Sequence, residues 1–189
     1  MIRSGGSPFA TMVLWTCAWI PPGDKVWPSA GNHPLPHPLL SFVVKRIQAL
    51  QDLSREHHEA LVLARRACAA AADPHGPDAQ AQRAHLLERW AVQFAPHFAL
   101  EEQTLLPALE RAGQHEPVAT ALAQHACLRD LIERIRQGDF LALALWGDDM
   151  AIHVRFEERT LFPLAQRVFQ PSELTDVMKP SAPHPSSST

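Results

Sequence analysis

The chain has 189 residues and a formal charge of −3, enough for one well-buried domain but without the basic excess that nucleic acid or an anionic membrane surface would require. Three cysteines (Cys17, Cys68 and Cys127) lack C-x-x-C spacing and imply neither a disulfide framework nor a zinc knuckle, which fits a reducing compartment. Tyrosine is absent, so no mechanism can rest on a tyrosyl radical, whereas eleven histidines are many for this length.

Residues 1–43 are rich in Pro, Gly, Ser and Trp without a sustained period, and read as an irregular or disordered extension. Val44 offers an alternative initiation site, in which case the extension is not part of the native protein. The apolar run "FATMVLWTCAWI" resembles a signal-peptide core but leads into "PPG" without a small-residue cleavage site. It is also too short to span a bilayer, so the expected location is cytoplasmic.

From residue 44 to 170 the pattern is helical. Four long amphipathic helices are predicted over residues 42–72, 78–111, 117–138 and 139–169. The breaks fall at "DPHGP", at Gly113, at Gly138 and before Pro171. Strand-like alternation is missing, so the fold class is all-α, an up-down-up-down antiparallel four-helix bundle. Pro96, Pro107 and Pro163 should bend or break the second and fourth helices. Residues 171–189 read as a short helix begun by Ser172 and Glu173, followed by a disordered tail.

Each helix carries one histidine on its apolar stripe. The first stripe is Leu50, Leu53, His57, Leu61, Ala64 and Cys68, which leaves the adjacent His58 about 100° away, toward water. The others are Trp90, Phe94, His97, Glu101 and Leu105; Val118, Leu122, His125, Leu128 and Ile132; and Trp146, Met150, His153, Glu157, Leu161 and Leu164. The segments "HFALEEQTLLP" (97–107) and "HVRFEERTLFP" (153–163) share the His, both Glu, the Thr-Leu pair and the Pro. They form an internal repeat in which His and Glu stand one turn apart, side by side.

Any one such histidine could be a hydrogen-bonded core residue. Four imidazoles and two carboxylates converging without a Lys or Arg on the same faces would instead leave uncompensated charge, costing several kcal/mol per ion. A pair of metal ions removes that cost, because carboxylates bridge cations and imidazole suits iron, zinc or copper. Glu102 and Glu158 lie about 100° off this face and read as surface or supporting residues. His85 and His115 fall near helix ends; His33, His37, His75 and His184 sit among prolines, without a rigid frame.

The stretches "LSREHHEAL", "HFALEEQTLLPAL", "LAQHACLRDL" and "HVRFEERTLFPL" together resemble the hemerythrin-like, or HHE cation-binding, family. The direction of His-x-x-x-Glu separates them from ferritin-like bundles, which use Glu-x-x-His. The resemblance implies a metal site of His57, His97, Glu101, His125, His153 and Glu157 holding two non-heme irons in an Fe–O–Fe type centre, iron being preferred to zinc or manganese. It further implies a small partner, either a diatomic ligand or peroxide, and names no protein partner. The function expected is reaction with, or sensing of, dioxygen, nitric oxide or peroxide. The alternatives are iron or zinc storage or metal sensing without turnover, and a purely structural polar core. Oxygen carriers of the family place a further His one turn before the third-helix ligand, where this chain has Ala121. Reversible oxygen carriage is therefore in doubt, and the nearby ion is expected to be open to solvent.

Overall fold

The structure is a computed structural model that describes residues 47–179. The extension 1–43, with Cys17, His33 and His37, and the tail beyond 179, with His184, lie outside the described residues, as does the first stretch of the helix predicted from residue 42. The described residues are helical, with no strand among them.

Helix α1 spans Gln48–Ala72. The second long segment is composite: α2 (Ala79–Arg89), a π-helical turn (Trp90–Phe94), α3 (Ala95–Gln103) and α4 (Leu105–Arg111). Helix α5 (His115–Arg136) follows, then α6 (Leu141–Phe156), a second π turn (Glu157–Leu161), α7 (Phe162–Val168) and α8 (Pro171–Val177).

The prolines explain these interruptions. A proline inside a helix lacks an N–H and collides with the carbonyl four residues back. Ahead of Pro96 the N–H of Ala95 bonds to the carbonyl of Trp90, five residues back, and ahead of Pro163 Phe162 bonds to Glu157 in the same way. The widened turn makes room for the ring. At the other copy of the repeat, Thr104 takes φ −123° and ψ −76° and its hydroxyl donates to the Leu100 carbonyl at 2.6 Å. Similar sequences thus absorb their prolines in two ways.

The glycine stops act through their left-handed backbone. Gly113 has φ +78° and Gly138 φ +91°. In each case the glycine N–H bonds three residues back (to Glu110 and Ile135) and the next N–H five residues back (Gln114 to Leu109, Asp139 to Arg134). This pattern satisfies carbonyls that a helix end would otherwise strand. Asp139 then opens α6, its Oδ1 accepting the N–H groups of Leu141 and Ala142. Glu173 closes a capping box with Gln170, so α8 starts at Pro171.

Helix α1 packs along α6 and α2, and α5 packs against α6 and α4. The α1–α6 approach is close: a Cβ on Gly147 would lie 2.6 Å from the Ala64 carbonyl oxygen and 2.5 Å from Cys68 Sγ. Such an approach favours small residues on α1, so its buried face includes Ala60, Ala64 and Ala67, while the predicted Leu61 and Cys68 are only half-buried. On α5 the predicted Leu122 is 43 % exposed and Ala121 is buried in its place. On α7 Phe162 and Ala165 are buried and Leu164 is not, because the extra residue of the π turn advances the inward face by one position.

Two apolar clusters fill the interior. One contains Ala60, Leu63, Trp90, Phe98, Leu128, Ile132, Trp146 and Met150. The other contains Leu50, Leu53, Leu105, Val118, Ala121, Leu161 and Phe162. Along every long segment the boundary between the clusters falls at the same place, beside the inward histidine or its glutamate.

Candidate metal centre

That boundary layer is polar. His57, His97, Glu101, His125, His153 and Glu157 are all buried, none more than 4 % exposed, so the structure gathers all six residues singled out by their spacing. His58, one residue from His57, is exposed, as the helix phase requires.

The donors form two overlapping quartets. His57, His97, Glu101 and Glu157 make one; Glu101, His125, His153 and Glu157 make the other, and within each quartet the ligand atoms lie within 4.8 Å of one another. Both carboxylates belong to both groups. Glu101 turns Oε1 to His97 Nε2 and Oε2 to His125 Nε2, each at 3.5 Å. Glu157 turns Oε2 to His57 Nε2 at 3.0 Å and to His153 Nε2 at 3.5 Å, and Oε1 to His125 Nε2 at 3.8 Å.

All four imidazoles are held by Nδ1, which leaves Nε2 facing inward. His57 Nδ1 meets Glu158 Oε1 at 2.8 Å, His97 Nδ1 meets Glu56 Oε2 at 2.8 Å, and His125 Nδ1 meets Glu102 Oε1 at 2.8 Å. His153 Nδ1 meets the amide oxygen of Gln124 at 3.1 Å. An acceptor at Nδ1 makes that nitrogen the N–H donor and points the Nε2 lone pair inward, the arrangement that metal-binding histidines use. Ring stacking adds orientation: Phe98 lies on His125 at 3.8 Å between centroids, and Phe162 on His57 at 5.4 Å.

The donor set fits metal cations on an observation independent of spacing. Both oxygens of Glu101 and of Glu157, together with Nε2 of His125 and of His153, are buried and complete no regular hydrogen bond, facing only one another and the inward imidazole nitrogens. Buried polar atoms are otherwise nearly always paired. Here they converge, and a cation is the partner that lone pairs of this kind accept in common.

A family model, the hemerythrin HHE cation-binding domain, matches residues 48–165. The chain belongs to this family. No curated protein and no solved structure matches it. The match covers α1 through most of α7, so the whole hexad of this hemerythrin-like domain lies inside it.

Protons occupy the electrostatic role of the cation in the metal-free domain. Burial pushes His97 toward neutrality, but the nearby charge of Glu101 and the Glu56 carboxylate at Nδ1 outweigh it and raise the imidazole to about 10. Burial likewise opposes charge on His125, and Glu101 and Glu157 raise it to about 9. Burial opposes charge on His57 too, and Glu157 and Glu158 raise it above its ordinary value. Burial prevails at His153, which falls to about 4, with Glu157 opposing and the His125 charge assisting. Glu101 and Glu157 stay below the usual carboxylate range despite burial, because cationic imidazoles surround them. His57 Nε2 and His97 Nε2 are 3.3 Å apart, so the charge of each opposes protonation of the other.

Ala121, at the position of the additional histidine, is fully buried and belongs to the apolar cluster that includes Leu50, Leu53, Leu105, Leu161 and Phe162. Of the outlying histidines, His75 and His115 are exposed and His85 is half-buried, His115 pairing with Glu110 at 2.6 Å. Cys68 and Cys127 are half-buried thiols whose Sγ atoms donate to the Ala144 carbonyl and to Asp149 Oδ2.

Glu56 and Gln124 were not singled out by sequence, and Glu102 and Glu158 were read only as surface or supporting residues. The available signal was adjacency. Glu56, Glu102, Gln124 and Glu158 each neighbour an inward donor on their own helix, and each reaches a histidine on another helix.

Proposed function

We propose that this hemerythrin-like domain binds two non-heme iron ions and reacts with or senses dioxygen, nitric oxide or peroxide. The observation that carries the reading is the double membership of Glu101 and Glu157: two carboxylates common to two donor quartets are what a bridged pair of ions requires. His57 and His97 would serve one ion, His125 and His153 the other. When bound, iron supplies redox chemistry and positions for an exogenous ligand, since two imidazoles and a share of two carboxylates leave coordination open. The protein's own contribution is to fix Nε2 inward through the Nδ1 hydrogen bonds, to neutralise charge and to keep bulk water away through the two apolar clusters. The reading includes an up-down-up-down antiparallel course for the four long segments, supported by their short connections.

Access is supported by a groove of about 530 Å³ lined by Glu102, Leu106, Pro107, Glu110, His115, Val118, Ala119 and Leu122. Glu102 forms part of that wall and holds His125, so the groove reaches within one side chain of the centre. A cytoplasmic setting is supported by the two half-buried thiols, and no described helix is long and apolar enough to cross a membrane.

The test is to load the protein with iron, reduce it without oxygen, and mix it separately with dioxygen, nitric oxide and hydrogen peroxide while recording absorbance. A change in the charge-transfer bands with at least one of the three is expected. Spectra unmoved by all three would transfer the assignment to storage or sensing of the metal itself.

A further inference from the structure

The hydrogen bonds behind the histidines form a closed ring. Glu56 on α1 holds His97 on α3; Glu102 on α3 holds His125 on α5; Gln124 on α5 holds His153 on α6; Glu158, just after α6, returns to hold His57 on α1. Each segment therefore orients the imidazole of the next, using the residue beside its own inward donor. The ring ties all four segments to one geometry.

The ring is uneven in charge. Both histidines of the first quartet, His57 and His97, are backed by carboxylates. In the second quartet His153 is backed by the neutral amide of Gln124. Glu102, behind His125, also accepts two hydrogen bonds from Arg129, at 2.8 and 2.9 Å. Arg129 sits over the Phe98 ring that stacks on His125, which keeps the cation in place on that side. A carboxylate behind an imidazole makes its far nitrogen a stronger donor to a metal; a neutral amide does so less. Glu101 and Glu157 contribute to both quartets and do not create the difference.

We propose that Glu56, Glu102, Gln124 and Glu158 are positioning residues that make the two metal positions unequal. The His57–His97 position is the tight one, and the His125–His153 position is the weak one that fills last and empties first. Gln124 is the residue chiefly responsible. This rests on the two-ion reading above and adds an order of occupancy to it.

The test titrates Co(II) into the metal-free full chain, followed by visible absorption and calorimetry. Two binding steps are expected, with the second absent in His153→Ala and the first weakened in Glu56→Gln by roughly 10–100-fold, the usual cost of losing such a partner. Gln124→Glu should tighten the second step by about tenfold or more and leave the first unchanged, and Gln124→Leu should weaken that same step. Circular dichroism of each metal-free variant checks that the helices persist; the paired Glu and Leu variants move the same step in opposite directions, which a general loss of folding cannot do. Two equal steps in the unmodified chain, or a second step indifferent to residue 124, would overturn the inequality while leaving the two-ion centre intact. Failure of the unmodified chain to bind Co(II) would overturn the two-ion reading itself.

Discussion

Raising the pH should destabilise the metal-free protein well before any lysine or arginine titrates. In the folded chain His97 is held at about 10, against an ordinary value of 6.5. Between those limits the folded state keeps a proton that the unfolded state has lost, so stability is fully present below about 6.5 and drains away as pH rises toward 10. At 1.36 kcal/mol for each pH unit, the loss is on the order of 5 kcal/mol. His125, at about 9, leans on the same Glu101, and His57 meets His97 across 3.3 Å, so the three contributions overlap and do not add. A loss of this size is a large share of the ~5–15 kcal/mol that holds a domain together. At roughly 3 °C per kcal/mol it lowers the melting temperature by about 15 °C. The assay is thermal unfolding followed by circular dichroism at pH 7, 8, 9 and 10, on chelator-treated and metal-loaded protein. Metal-loaded protein should be nearly flat over this window, because cations then do the work of the protons. A metal-free melting temperature that is constant or rises from pH 7 to pH 10 would refute the reasoning.

Other outcomes follow from the same geometry. His57→Ala should weaken metal affinity by at least the tenfold that losing even a supporting hydrogen bond costs, while the exposed His58→Ala should leave it unchanged in the same titration. Metal binding at pH 7 should release protons, detected with an indicator dye in weak buffer, and the release should fade above pH 10. Gly147→Ala should cost about 1–3 kcal/mol in urea unfolding, because its Cβ meets the Ala64 carbonyl at 2.6 Å and Cys68 Sγ at 2.5 Å.

The hexad was legible because helical spacing alone places i and i+4 donors on one face, and the repeat wrote that spacing twice. The close seam between α1 and α6 was not legible. Its cause is tertiary: Gly147 lets the helices approach, and alanines then take the buried positions that Leu61 and Cys68 were expected to hold. Helical phase also failed beyond Leu161, where a π turn ahead of Pro163 has added a residue and brings Ala165 inward in place of Leu164. Pro96 and Pro163 marked where the helices would be disturbed, but not that the disturbance would be a widening in both cases. The ring behind the histidines was hidden for another reason. Glu56 and Gln124 look like ordinary polar neighbours until the facing helix is placed, since each serves a histidine it does not share a helix with.

The central claim is that two ions share Glu101 and Glu157. Iron analysis of protein purified without chelators, combined with Mössbauer spectroscopy of the oxidised form, tests it most directly. Two irons per chain with the magnetic coupling of a bridged pair are the expected result. One ion per chain, or two irons that behave as isolated paramagnets, would contradict it.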